Sequence, residues 1–176
     1  MSIEERFTED EIFLLTNTPT LIGSVMAFAE GSGLGTIKEL FASSKSFTDG
    51  VKEYPDNEII TGILPALGDV KDTMDRAREM REKSLARLKD RQIDSSKKLK
   101  DQLLEDSKKI ATILKEKATP KEEQEYKEWA MAIASNVAKA AKEGGFLGFG
   151  GTQISEGEKQ AFAEIAAALG ADSQLA

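Results

Sequence analysis

Carboxylates are the main chemistry this chain offers. Its 176 residues include 31 Asp and Glu but no His and no Cys. Without imidazole, the commonest general base, the nitrogen metal ligand and the Ser-His-Asp arrangement are all missing. Without thiols, disulfides, thiolate metal sites and cysteine nucleophiles are missing too. A hard cation such as Ca²⁺ is then the metal that fits, held by Glu30, Glu39, Glu143, Glu156 or Glu158 together with loop carbonyls. These acids lack the closely alternating Asp/Asn pattern of an EF-hand, and a di-iron bundle needs a Glu-x-x-His that does not occur. The competing reading is that acids near helix N-termini simply favour the helix dipole. No acid–base pair stands out, so no catalytic residue and no cofactor is assigned, and a non-enzymatic protein is expected.

A second kind of chemistry is hydrophobic contact. Gly144-Gly145-Phe146-Leu147-Gly148-Phe149-Gly150-Gly151-Thr152 sets two Phe and a Leu among five Gly, more than a turn requires. Phe146, Leu147 and Phe149, with Gly148 and Gly150 shaping the backbone, are candidate partner-binding residues. Either they tuck under the loop as a plug or they form an apolar tip. The net charge of −7 disfavours a membrane surface as the target. No Lys-Ser/Thr follows the glycines, and Gln153 takes the last place of a G-x-G-x-x-G begun at Gly148, so nucleotide binding is not expected. The loop also has an echo. Ala27 to Gly35 and Ala140 to Gly148 both read A-x-x-E-G-x-x-L-G. Two glycine C-caps with a Leu packed back on the last turn produce this pattern. Two equivalent helix–loop–helix elements framing a shared site produce it as well.

The elements that must position these residues read as helices throughout. Thr8-Glu9-Asp10-Glu11 is a capping box that opens a short helix through Leu15. Thr18-Pro19 reads as a fresh start, Thr as N-cap and Pro at the first position, for a core helix carrying Leu21, Ile22, Val25, Met26 and Phe28. A third helix is expected over 36–50, stopped by Tyr54-Pro55. Asp56 then caps a short one bearing Ile59, Ile60, Ile63, Leu64 and Leu67. Thr119-Pro120 with Glu122 opens an amphipathic helix whose face is Tyr126, Trp129, Ala130, Ile133, Val137, Ala140 and Ala141. Ser155 with Glu158 opens the last, with Phe162, Ile165, Ala166 and Leu169 inward and Gly170 closing it. No segment alternates with period two, so the expected fold is all-α.

Between Asp69 and Lys117 there is neither Gly nor Pro, and 15 basic residues face 11 acidic ones, whereas the rest of the chain holds 9 against 20. Acid-before-base pairs four apart, such as Glu79/Lys83 and Glu105/Lys109, suit a solvated helix. The segment carries no aromatic residue to stack on a base, so no nucleic-acid partner is expected. Leu88 and Leu99 stay in phase at 11 residues, which fits one helix about 70 Å long at 1.5 Å per residue. A hairpin turning near Asp94-Ser95-Ser96 fits equally. The N-terminus is acidic and no apolar run approaches the ~20 residues of a membrane span, so a soluble, cytoplasmic protein is expected.

One resemblance enters here. Gly151-Thr152-Gln153-Ile154-Ser155-Glu156-Gly157-Glu158, followed by Ala163-Glu164-Ile165 and Ala168-Leu169-Gly170, resembles the D-G-x-I-S-x-x-E … I-A … L-G element of tellurite-resistance TerB-like domains. Ala29-Glu30-Gly31 resembles the A-D-G element of their other half, with Glu30 and Gly150 standing where that family has Asp. The resemblance implies a compact all-α domain of pseudo-symmetric halves, a stress-linked role and, as in some members of that family, divalent-cation binding. The chain also resembles an uncharacterised bacterial family ending in a GGFLGFGG loop, which implies no activity. The expected architecture is one domain over 1–176, a bundle of an N-terminal region (8–67) and a C-terminal region (119–170) joined by a long charged helix or hairpin (69–117). The expected role is interaction with an unidentified protein partner, or with a second copy through the long helix.

Overall fold

The computed structural model describes residues 2–29, 50–64, 70–143 and 154–172, without the side chains of 70–73 and 140–143. Every regular element among them is a helix: α1 (Ile3–Arg6), α2 (Glu9–Phe28), α3 (Glu58–Ile63), α4 (Val70–Asp90), α5 (Ser96–Lys117), α6 (Pro120–Glu143) and α7 (Glu156–Leu169), with one further helical turn at 50–53. The fold is therefore an all-α bundle. Helix α2 packs on α5, α6 and α7, α5 also packs on α7, and α1 with α3 closes one end.

Local sequence signals set most helix ends. The Thr8–Glu11 capping box forms, the Glu11 N–H reaching Thr8 Oγ1 at 3.3 Å and the Thr8 N–H reaching Glu11 Oε2 at 2.7 Å. The Thr119–Glu122 and Ser155–Glu158 boxes form in the same way. Each cap satisfies amide groups that a helix start leaves without partners, typically worth about 1 kcal/mol. Gly170 ends α7 at φ 63°, a left-handed conformation that costs glycine nothing. Helix α3 is capped one residue later than the sequence suggested: Asn57, not Asp56, accepts the N–H groups of Ile59 and Ile60.

The largest departure is at Pro19. Instead of a break at Thr18-Pro19, α2 runs unbroken through it, and the Thr18 hydroxyl is buried without a hydrogen-bond partner rather than acting as a cap. Proline cannot donate to the carbonyl four residues back, so Leu15 O loses its helical partner. Tyr126 of α6 supplies the replacement, its Oη–H donating to Leu15 O at 2.7 Å. Burial pushes the Tyr126 phenol above its ordinary range. One consequence is that α2 becomes a 20-residue helix long and apolar enough, by length and composition, to cross a membrane. Here 61% of its apolar window is buried in the bundle, as in the core helix of a globular domain.

The charged segment is a hairpin. Gln92 turns the chain at φ 54°, and Ser95 caps α5 by accepting the Lys98 N–H. The two arms then diverge in role. Helix α5 buries Leu99, Leu103, Ile110 and Leu114 in the core beside Leu15, Met26 and Trp129. Among its described side chains, helix α4 meets the body toward its C-terminal end, and it forms the candidate surface below.

Candidate interaction surface

Helix α4 is anchored chiefly by polar contacts. The Arg87 guanidinium donates to both oxygens of Asp106 on α5, at 2.5 and 2.7 Å, and lies over the Phe13 ring of α2 at 5.7 Å. Asp106 is 0% exposed, and it also accepts from Gln102, which in turn accepts from Arg91. Hydrogen bonding to Asp106, opposed by burial, holds the Arg87 pKa above its ordinary value. Ser84 is buried at the same contact and Leu88 packs on the core.

Residues 74–79 and 81–83 are exposed, and Met74 and Leu85, at 66% and 44%, are the large hydrophobic side chains most open to solvent among the described residues. They are 11 residues apart, about three turns, so they share one face. Arg78 and Arg81 fall between them on that face, with Arg78 also paired to Glu82 at 3.1 Å. The arm thus presents apolar, basic, basic, apolar at i, i+4, i+7 and i+11, the spacing of a helix laid in a groove.

On another side of the bundle, α6 and the end of α7 enclose an open groove of about 810 Å³. Its lining includes the buried Met131 and Phe162 and charges of both signs, Glu123, Glu128 and Asp172 with Lys127 and Lys139. At the closed end of the bundle, charges bind elements together. Arg6 holds both oxygens of Glu122 at 2.7 and 2.9 Å, the Lys117 carbonyl at 3.1 Å and Glu58 at 3.2 Å. The hydrogen bonds from Arg6, opposed by burial and reinforced by Thr119, bring the Glu122 carboxyl down to about 2. Lys117 reaches Glu11 at 2.6 Å, and Glu11 likewise lies below the usual carboxylate range despite its burial.

The candidate residues named from sequence fall in different places. Glu30, Glu39, Phe146, Leu147, Gly148, Phe149 and Gly150 lie outside the described residues, as does the side chain of Glu143 at the end of α6. Glu156 is solvent-facing and paired with Lys159 at 2.7 Å. Glu158, 2% exposed, caps α7 through Oε2, while its Oε1 is buried without a hydrogen-bond partner. Two apart on a helix, Glu156 and Glu158 do not face each other. Beside them Gly157 lies against the end of α2: a Cβ there would stand 2.5 Å from the Ala29 carbonyl oxygen. Among the described residues no group of three or more Asp or Glu is placed to hold a metal ion. Sequence reasoning gave 69–117 as a solvated contact segment without telling its two arms apart, and it missed the Arg87–Asp106 anchor. Apolar content held no signal for the arm, because 69–90 and 96–117 each carry seven Ala, Val, Ile, Leu or Met among 22 residues.

Comparison with known families, curated proteins and solved structures finds no match to the chain.

Proposed function

We propose that this protein is a non-enzymatic interaction module, cytoplasmic and stress-linked, with the α4 arm as its principal contact surface. The observation that carries the reading is the exposed Met74–Leu85 face on a helix whose described contacts with the bundle lie toward its C-terminal end. Apolar side chains repeated on one helix face are the anchors by which a helix docks in a groove. The Gly/Phe loop, with Phe146 and Phe149, is the second contact surface of the proposal and rests on the sequence alone. So do the stress link and the location.

Affinity capture from native cell lysate, read by mass spectrometry, tests it. Wild-type bait recovers a specific protein, and Met74→Glu/Leu85→Glu bait loses it while keeping its helical circular dichroism. Phe146→Ser/Phe149→Ser bait reports on the loop separately. Identical recovery by all three baits overturns the proposal.

A second reading, a TerB-like divalent-cation domain, is favoured by the unpartnered, buried Glu158 Oε1. A cation that prefers the folded state must stabilise it. Calcium therefore raises the thermal midpoint on this reading, and a midpoint that does not move refutes it.

A further inference from the structure

We propose that Met74 is a site of reversible oxidation to methionine sulfoxide, and that oxidation there switches off the contact face of α4. The switch rests on the interaction reading, whereas the modification site stands without it.

Sulfur is what a peroxide attacks most readily in a folded chain, and here no Cys competes for it, so all of the sulfur sits in five methionines. Those with described side chains differ widely in access. Met26 is 0% and Met131 7% exposed, Met80 is partly buried, and Met74 is 66% exposed. The single Trp, Trp129, is buried as well. Susceptibility follows exposure, so the bundle shelters its other oxidisable groups and leaves Met74 open.

The chemistry is a two-electron oxygen transfer. The Met74 sulfur lone pair attacks one oxygen of hydrogen peroxide. An S–O bond forms, the O–O bond breaks, and the second oxygen leaves as water with the proton of the first. Sulfur is oxidised and the peroxide reduced. A dithiol-dependent reductase of the methionine sulfoxide class reverses the step: the dithiol becomes a disulfide and the oxygen departs as water.

The position of Met74 decides what this does. Met74 and Leu85 are the apolar members of the α4 face, with Arg78 and Arg81 between them. The sulfoxide turns a flexible apolar side chain into a polar one, so the face loses one of its two anchors. At Met26 or Met131 the same oxygen would enter the core, where a polar group without a partner is costly. At Met74 it stays in solvent, and the surface changes while the packing does not.

Oxidation of the purified full chain by excess hydrogen peroxide, followed residue by residue with peptide mass spectrometry, tests the proposal. Met74 reacts at least about tenfold faster than Met26 or Met131. Met74→Leu removes that fast phase and Met80→Leu keeps it. The chain oxidised at Met74 alone retains its thermal midpoint, and a methionine sulfoxide reductase with dithiothreitol restores the starting mass. In lysate capture, that oxidised bait recovers partner with at least about tenfold lower affinity, the worth of one buried methionine side chain. Met74→Leu bait given the same peroxide dose loses nothing. The proposal is overturned if Met74 reacts no faster than Met26 or Met131, if the midpoint falls with the first oxygen, or if capture is indifferent to the sulfoxide. A reduced bait that captures nothing specific removes the interaction reading and the switch with it, while the oxidation rates decide the site by themselves.

Discussion

Replacing Tyr126 by Phe removes one oxygen, and the structure says where the cost falls. That hydroxyl is the donor to Leu15 O, whose helical partner Pro19 cannot provide. The ring stays, with its edge contact to Trp129 at 5.6 Å. What is lost is a hydrogen bond, and what remains is a buried carbonyl without a donor, a penalty of about 1–3 kcal/mol. For a chain of this size each kcal/mol moves the midpoint of thermal unfolding by about 2–4 °C. A Tyr126→Phe variant thus melts between about 2 and 12 °C lower. Urea unfolding followed by the single, buried Trp129 gives the free energy directly. The decisive arm is the same change in a Pro19→Ala background. The Pro19→Ala substitution restores an N–H to Leu15 O, so Tyr126→Phe there costs under about 0.5 kcal/mol, a coupling characteristic of groups that share one partner. Equal costs in the two backgrounds refute the reasoning.

Other consequences are read from single contacts. The folded Glu122 carboxyl titrates near 2 against 4.5 unfolded, so its stabilisation is complete above pH 4.5 and is lost as pH falls toward 2. That separation is worth about 3 kcal/mol at neutral pH, and Arg6→Met flattens the acid limb of a stability–pH curve. Arg87→Met strands the buried Asp106 carboxylate and costs about 3–5 kcal/mol in chemical unfolding, most of which Arg87→Met/Asp106→Leu recovers. Gly157→Ala places a methyl against the Ala29 carbonyl. It lowers stability by about 1–3 kcal/mol through forced separation of α2 and α7. Amide exchange runs faster over 74–83 in α4 than over 99–114 in α5, because the first stretch buries almost nothing and the second lies in the core.

The sequence disclosed what depends on neighbours within a turn or two. The Thr8, Thr119 and Ser155 caps, the inward faces of α6 and α7, and the stop at Gly170 are all local, and all were legible. Pro19 was misread because its compensation comes from a tyrosine 111 residues away from the carbonyl it serves. The choice between helix and hairpin stayed open because Leu88 and Leu99 keep phase either way. The turn rests on a left-handed Gln92, a conformation that glutamine does not advertise. The division of labour between α4 and α5 was hidden for a related reason. Both carry acid–base pairs around a narrow apolar stripe, and which stripe is buried depends on whether α2 and α7 lie opposite it. Of the candidate site, only Glu156 and Glu158 fall with their side chains among the described residues. The arm emerged from exposure, which no local pattern encodes.

On the proposed function, the α4 arm is where this protein meets its partner. A photo-crosslinking residue placed at position 74 or 85, and for comparison at the exposed Glu116 of α5, tests it in native cells. Covalent adducts are expected from positions 74 and 85 upon illumination and none from 116. Adducts of equal yield from 116, or an arm that yields only free chain, would contradict it.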